Sequence, residues 1–165
     1  MAAAKQPSSA KRTKPAERKP TAPKPAAPKP AAPKLSIAER MATPPPYSRA
    51  LATKQLARVR KLCTALPDAF EKLSHGSPCF FVPRGGQFAS FLDNHHGDGR
   101  LAVWCAAPPG AQSMLIDADP DLYFLPPYVG HRGWVGVRLD RDGAWPQIAN
   151  VLEAAHQARY RPPRK

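Results

Sequence analysis

A short repeat near the N-terminus limits what this chain can fold into. Residues 19–34 read KPTAPKPAAPKPAAPK, a five-residue unit that places Lys19, Lys24, Lys29 and Lys34 in register. Closely spaced prolines fix φ and remove backbone donors, so the repeat favours an extended, solvated polyproline-II rod that buries no apolar surface. On a helix of three residues per turn, a five-residue period spreads successive lysines by about 120° around the axis. The repeat therefore predicts a disordered arm that is positively charged on all sides.

The positive charge of the chain lies mainly at its two ends. The 165 residues include 25 Lys and Arg against 12 Asp and Glu, a formal net charge of +13. Residues 1–49 carry 11 basic and 2 acidic side chains, residues 50–158 carry 10 of each, and residues 159–165 carry four basic ones and no acid. All Phe, Trp and Gly residues follow residue 49. We therefore predict a disordered Lys/Pro/Ala-rich arm over 1–49, one α/β domain over 50–158 and a basic tail over 159–165.

The basic ends indicate a polyanionic partner. Lysine and arginine on extended segments neutralise phosphates without reading a base sequence, so nucleic acid is the expected partner. Two alternatives stay open. In the first, the arm is only a solvated linker. In the second, translation starts at Met41, which would remove all seven lysines that precede Met41, including those of the repeat.

The composition also bears on the compartment. No run of about 18 apolar residues is present, and the N-terminus lacks the apolar stretch of a secretory signal, so we expect a soluble cytoplasmic protein without membrane contact. Three widely spaced cysteines, Cys63, Cys79 and Cys105, lie in apolar surroundings. This spacing predicts reduced, buried thiols rather than disulfides.

The apolar pattern of the central segment predicts an amphipathic first helix. Thr53 is an acceptable N-cap, apolar residues follow at helical spacing as far as Leu66, and Pro67 ends the helix. Its polar side carries Lys54, Arg58, Arg60 and Lys61. That side is either a solvated face or a surface that meets phosphates.

The remaining pattern predicts an antiparallel sheet. Apolar and aromatic residues flank a Gly-Gly turn at 83–86, which is typical of a β-hairpin. The fold class that we predict is α+β, a two-layer sandwich with an antiparallel sheet of about five strands, one face of which is covered by the terminal helices. The predicted elements after the first helix are strands at 78–82, 87–93 and 100–106, a short helix at 111–118, strands at 121–128 and 133–139, and a closing helix at 144–160.

Several positions, in order and with their spacing, resemble the YjbR/MmcQ family of small bacterial proteins. The resemblance covers most of residues 50–158 and implies a frataxin-like, or CyaY-like, sandwich. It also implies DNA binding through wing-like hairpins. One departure is Gln87, where the family commonly has lysine after the turn glycine. The matching residues are Gly76, Pro78, Phe80, Gly86, Phe88, Ala89, Pro127, Tyr128, Gly130, Gly133, Trp134 and Val135.

Basic residues on the arm, the first helix, the wings and the tail are the candidate DNA contacts. Among the wing residues, Arg84, Arg100 and Arg132 each lie beside a glycine-containing turn, where a guanidinium can reach a phosphate. The matching aromatic residues Phe80, Phe88, Tyr128 and Trp134 are expected in the core rather than as stacking platforms, because they alternate along strands. The candidates are Lys19, Lys24, Lys29, Lys34, Lys54, Arg58, Lys61, Arg84, Arg100, Arg132, Arg161, Arg164 and Lys165.

Metal binding is not expected from the sequence. His95 and His96 are adjacent in a short turn, so their rings point apart, and only Asp98 lies near them in sequence. The acidic run from Asp117 to Asp121 resembles the start of a calcium loop but lacks its glycine and its terminal glutamate. A frataxin-like iron site needs carboxylates on the first helix, which here is basic. We therefore predict no metal and no cofactor.

The motifs of catalysis are also missing. His75 and Cys79 lie four residues apart with Glu71 nearby, but a strand separates residues at that spacing instead of clustering them. Cys79 lies between proline and phenylalanine, which is typical of a buried, inert thiol. No phosphate-binding glycine loop or nucleophile elbow is present. The sequence predicts a protein that is not an enzyme.

The leading hypothesis is a sequence-tolerant protein that binds double-stranded DNA through its basic ends, with possible wing contacts, and that is associated with the nucleoid. The alternative is a module that binds a protein or a small ligand, with the ends acting only as linkers. That alternative predicts an apolar pocket near Trp104, Tyr128 and Trp134. The sequence leaves the oligomeric state open.

Overall fold

The computed structural model of the protein describes residues 35–141 and 144–162. The predicted contacts Lys19, Lys24, Lys29, Lys34, Arg164 and Lys165 lie outside the described residues. The described residues form four α-helices, α1 Ile37–Ala42, α2 Arg49–Thr64, α3 Ala111–Ala118 and α4 Trp145–Arg159, and six strands, β1 Phe70–Ser74, β2 Ser77–Val82, β3 Gly86–Asp93, β4 Leu101–Ala106, β5 Tyr123–Phe124 and β6 Trp134–Arg138. Single 3-10 turns occur at His95–Gly97 and Gly130–Arg132.

The six strands form one open antiparallel sheet in the order β1-β2-β3-β4-β6-β5. The α+β class and the antiparallel pairing are thus confirmed, with one strand more than expected. The additional strand is β1, whose residues Phe70 and Leu73 break the period-2 alternation and are largely exposed. β1 forms because the turn between Ser74 and Ser77 has positive φ at both central residues, which suits a tight hairpin.

The first predicted helix begins five residues earlier than its pattern indicated. The helix-capping side chain is Ser48, whose Oγ accepts a hydrogen bond from the backbone N–H of Leu51 at 3.1 Å. Thr53 instead lies inside α2 and donates its hydroxyl proton to the carbonyl of Arg49. Both residue types can cap a helix, so local sequence did not distinguish them. The helix at 111–118 has the predicted bounds, and the closing helix differs from its prediction by one residue at each end.

Helix α1 lies within the segment whose composition predicts the disordered arm. Ser36 and Glu39 form a reciprocal capping box that begins it. The helix packs against the His95–Gly97 turn, and a Cβ on Gly97 would overlap the backbone of Arg40. Residues 37–42 are therefore structured and contact the domain.

The sheet has a different environment on each face. On the first face, alternate residues such as Phe80, Phe88 and Val103 pack against α2 and α4 in the main core. On the second face, Leu92, Ala102, Trp104, Ala106 and Trp134 form a smaller buried cluster. Phe80, Phe88 and Trp134 are buried as predicted, and so are all three cysteines, which are free thiols.

Tyr128 is not in the core, so that prediction is wrong. The strand predicted over 121–128 shortens to Tyr123–Phe124, because Pro126 and Pro127 cannot donate to a ladder. Tyr128 therefore lies in a loop and is 65% exposed. In the part of the chain that the structure describes, no helix is both long enough and apolar enough to span a bilayer.

Candidate functional site

The predicted basic residues of α2 form one surface on the helix layer. Lys54, Arg58 and Lys61 lie three and four residues apart, on the same side of the helix, and all three are exposed. The Arg58 guanidinium lies 5.0 Å from the centroid of the Trp145 ring at the start of α4. The fourth cation predicted for the polar side, Arg60, points away from these three around the helix and forms an ion pair with Glu71 at 2.7 Å.

A second group of cations lies where the β2–β3 turn meets the end of α4. Arg84 donates from Nη2 to the carbonyl oxygen of Arg161 at 3.1 Å. The next turn residue, Gly85, lies so close to the chain that a Cβ there would overlap the Arg159 carbonyl. Of the described carboxylates, none lies within 4.0 Å of these three guanidinium groups. We call Arg84, Arg159 and Arg161 the hairpin cluster.

The other two wing arginines have different environments. Arg100 lies over the Phe124 ring at 4.4 Å from its centroid and 3.9 Å from Asp98, so its charge is partly compensated. Arg132 is exposed in the Gly130–Arg132 turn and lines a cavity on the second face of the sheet. The structure therefore does not bring the three predicted wing residues together.

The cavity has a volume of about 920 Å³. Its floor consists of side chains from the second face of the sheet, chiefly Ser90, Leu92, Trp104 and Trp134. Four loops contribute to its walls, namely the β1–β2 turn, the β2–β3 turn, the His95–Gly97 turn and the loop that precedes β6, and Arg159 at the end of α4 completes the lining. The helices cover only the opposite face, which is why the second face has room for a cavity.

A small polar cluster lies at the floor. Gln87 donates from Nε2 to the Ser90 hydroxyl, and the Cys79 thiol lies 3.5 Å from the same oxygen. Burial raises the pKa of the Cys79 thiol, which keeps it protonated. His75 hydrogen-bonds Ser74 at 3.0 Å, and Glu71 pairs with Arg60. Cys79, His75 and Glu71 thus have separate partners and do not form a nucleophile–base–acid chain.

Aromatic rings form one wall of the cavity. The His95 ring lies edge-on to Trp104 at 4.9 Å and to Tyr128 at 6.2 Å between centroids, and His96 lies 6.0 Å from Tyr128. The centroids of the His95 and His96 rings are 4.2 Å apart, so the expectation that these rings point apart is wrong. Burial, and secondarily the neighbouring imidazole of His96, lowers the pKa of His95, so the neutral ring is favoured at neutral pH. Within residues 35–141 and 144–162, no group of three His, Cys, Asp or Glu side chains is arranged to hold a metal.

The walls also contain strained backbone. Of the six non-glycine residues with positive φ among the described residues, His75, His96 and Tyr128 line the cavity. Tyr128 has φ of 64°, a conformation that is unusual for a bulky residue. The exposure of Tyr128 was not predicted from the sequence. Pro126 and Pro127, which precede it, are the sequence signal that could have indicated a loop.

Comparison with known proteins identifies the family. The family model YjbR matches residues 64–158, which is more than half of the chain. The chain belongs to the YjbR family. The YjbR region begins at the end of α2 and ends in α4, so it contains the whole sheet and most of the cavity lining, whereas α1 precedes it.

A solved structure shares the fold of this YjbR protein. This is the crystal structure of protein DR2400 from Deinococcus radiodurans, which contains a domain of the family DUF419. The two proteins are 18% identical in sequence. The match has a TM-score of 0.52 and covers 61% of this chain and 75% of that one. No curated protein matches the chain significantly.

Proposed function

We propose that this YjbR protein binds double-stranded DNA without sequence preference and without catalysing a reaction. The observation that carries the proposal is the hairpin cluster. Its turn contacts the backbone of Arg159 and Arg161, and none of its three arginines pairs with a described carboxylate. Arg84 and Arg161 each donate to backbone carbonyls through one terminal nitrogen, so their remaining N–H groups can donate to phosphate oxygens.

The sequence extends this surface with further cations. Arg164 and Lys165 follow Arg161 within four residues, and the predicted arm adds the lysines of the repeat. Residues 50–158 have no net charge, so within them only local groups of cations, such as Arg84 of the hairpin cluster and the basic surface of α2, can attract a polyanion, together with the two ends. Association with the nucleoid follows from this proposal.

The family resemblance supports the same function. It implies DNA binding through wing-like hairpins and a frataxin-like sandwich, and the β2–β3 hairpin is the wing that carries Arg84. In this chain Arg100 is engaged by Asp98 and Phe124, so we assign the wing contacts to Arg84 rather than to all three predicted arginines.

A salt series with two double variants tests the proposal. Binding of a fluorescent 20-base-pair duplex to the full chain is measured from 50 to 300 mM NaCl for the parent protein, for R84Q/R161Q and for R49Q/R141Q. If about five cations contact phosphates, log K falls with log[salt] at a slope of about −4 to −5. R84Q/R161Q should make the slope shallower by about two, because each lost phosphate contact removes about one.

The control pair removes the same charge from elsewhere. Arg49 and Arg141 are exposed cations outside the candidate surfaces, so R49Q/R141Q should keep the parental slope. Equal slopes for the two double variants would reject the hairpin cluster as the docking surface. Binding by the parent that does not depend on salt would reject the phosphate-contact model altogether.

The contribution of the arm is tested by truncation. A fragment of residues 35–165 keeps α1 and the described domain and removes the lysine repeat. We expect weaker duplex binding and a shallower slope for the fragment than for the full chain. Equal binding would mean that the arm is only a linker.

A further inference from the structure

We infer that the cavity on the second face of the sheet binds a nucleoside phosphate, with the base between the aromatic wall and the floor and the phosphate at Arg132 and Arg159. This inference does not rest on duplex binding, because it concerns a concave site and a ligand that is not stacked in a double helix.

The size and shape of the cavity suit a ligand of this kind. Its volume of about 920 Å³ lies in the upper part of the range of small-molecule sites, which is about 300–1,000 Å³. The tryptophans Trp104 and Trp134 and the side chain of Leu92 give the floor a flat apolar character. A mononucleotide fills much more of this space than a single inorganic anion does.

An exposed aromatic ring at the rim indicates what the cavity recognises. Tyr128 is 65% exposed, yet its backbone is held in the left-handed region, where a bulky side chain is rarely found. Strain of this kind concentrates at binding sites, because the surrounding structure must maintain it. The Tyr128 ring, next to His95 and His96, offers a surface on which a planar base can stack.

The charges around the cavity select an anion. Its lining includes two arginines, Arg132 and Arg159, whereas no aspartate or glutamate of the described chain lines it. A neutral aromatic ligand would leave the two guanidinium groups without an anionic partner, and a phosphate without a ring would not use the aromatic wall. A nucleoside phosphate combines the two chemistries.

The polar cluster at the floor can contact the edge of a base. Gln87 and Ser90 lie three positions apart on β3, and a hydrogen bond holds the amide and the hydroxyl together. The amide oxygen of Gln87 forms no hydrogen bond with any described residue, so it can accept one from an exocyclic amine. Such a contact would give preference among bases.

Ligand-side controls separate the two chemistries. Quenching of tryptophan fluorescence and saturation-transfer NMR are measured on the full chain with the 5′-monophosphates of adenosine, guanosine, cytidine and uridine. Adenosine and guanosine supply the ring without the charge, and ribose 5-phosphate supplies the charge without the ring. We expect at least one monophosphate to bind ten-fold or more tightly than its nucleoside and than ribose 5-phosphate.

Two variants with matched controls locate the site. R132Q should weaken binding of the monophosphate about ten-fold and leave nucleoside binding unchanged, whereas R141Q removes an exposed arginine elsewhere and should change neither. Y128A should weaken monophosphate and nucleoside alike, whereas M114A, which shortens an exposed apolar side chain on α3, should not. Circular dichroism and the melting temperature confirm that each variant is folded.

The outcomes are decisive for the inference. Absence of binding by all four monophosphates and by a 5′-phosphorylated DNA hexamer would overturn it, and so would parental affinity in both R132Q and Y128A. Binding of the hexamer alone would support a nucleotide at the end of a strand, and binding of monophosphates would support a free nucleotide. Arg159 belongs to both sites, so duplex binding is measured through Arg84 and Arg161 and nucleotide binding through Arg132 and Tyr128. Failure of one proposal therefore leaves the other standing.

Discussion

The hydroxyl of Tyr47 lies 2.8 Å from Asp93 Oδ1 and 3.0 Å from the carbonyl oxygen of Arg100. These contacts join the segment before α2 to both ends of the β3–β4 connection. Burial, with a contribution from Asp93, raises the pKa of Tyr47 well above its usual range, so the hydroxyl remains a proton donor at physiological pH. The folded unit therefore begins before residue 50.

Replacing Tyr47 with phenylalanine tests this connection. The phenylalanine ring still packs against the core, but the hydroxyl that hydrogen-bonds to the Asp93 carboxylate and the Arg100 carbonyl is lost. We expect Y47F to lower the free energy of unfolding by about 1–2 kcal/mol, measured by urea denaturation. Y128F is the control, because the described residues form no hydrogen bond with that hydroxyl, and its effect should stay within about 0.5 kcal/mol. Equal stability of Y47F and the parent would contradict a structural role.

Gly85 and Gly86 are required for different reasons, which substitution can separate. A Cβ on Gly85 would overlap the carbonyl of Arg159, whereas a Cβ on Gly86 meets no atom within 4 Å. Gly86 instead has φ of 78°, which favours glycine. We expect G85A to cost about 1–3 kcal/mol through overpacking and G86A about 1–2 kcal/mol through backbone strain.

Asparagine distinguishes the two mechanisms. It tolerates the left-handed region better than alanine, so G86N should recover part of the stability that G86A loses. G85N should be no better than G85A, because the steric overlap with the chain remains. Thermal denaturation of the four variants gives the comparison, and recovery by G85N would show that the turn can move away from α4.

The three thiols should be unreactive in the folded protein. Cys63, Cys79 and Cys105 are at most 3% exposed, and burial raises the pKa of each of them. The thiolate is the reactive form, so both access and ionisation are suppressed. With Ellman's reagent at pH 8, we expect almost no colour from the native protein and three equivalents of thiol in 6 M guanidinium chloride. Rapid reaction of one native thiol would contradict this expectation, and its loss in C79S would show that the second face opens to Cys79.

Acidification should destabilise the fold through His95. Because burial and His96 lower the pKa of His95 below its usual value of about 6.5, the unfolded chain binds more protons as the pH falls through that value. Stability is therefore lost on acidification and regained as the pH rises. Nearby Asp98 opposes the shift without reversing it.

Urea denaturation at pH 7.5 and pH 5.5 measures this effect. H95Q should lose less stability between the two pH values than the parent protein does. H131Q is the matched control, since it removes an exposed imidazole from the Gly130–Arg132 turn near the same cavity. An unchanged pH dependence in H95Q would mean that other groups account for the acid sensitivity.

Much of the local structure could be predicted from the sequence. The spacing of apolar residues, together with the prolines and glycines that interrupt helices and strands, predicted several elements to within a few residues. These are the hairpin of β2 and β3, strand β4, helix α3 and helix α4. These elements depend on contacts between residues near in sequence, such as the Gly-Gly turn and the apolar stripe of α4. The family followed from the spacing of glycines and aromatics, and the YjbR match over 64–158 confirms it.

Elements with weak local signals could not be predicted. β1 pairs with β2 despite an irregular apolar pattern, and α1 lies beside a segment whose composition is dominated by lysine and proline. Tyr128 alternates with apolar residues as a core residue does, yet the prolines before it end the strand and leave the ring exposed. In each case the local conformation depends on adjacent residues in the sequence or on a tertiary contact more than on the residue's own propensity.

The sequence by itself determined that the charge lies at the ends, that one α+β domain occupies the middle, and that the thiols are buried. Only the tertiary structure decided that Arg84 joins Arg159 and Arg161 while Arg100 is engaged elsewhere, and that the second face of the sheet encloses a cavity without carboxylates. The physical reason is distance along the chain. Alternation assigns a residue to a face of a strand, but which loops close over that face depends on contacts between residues that are far apart in sequence.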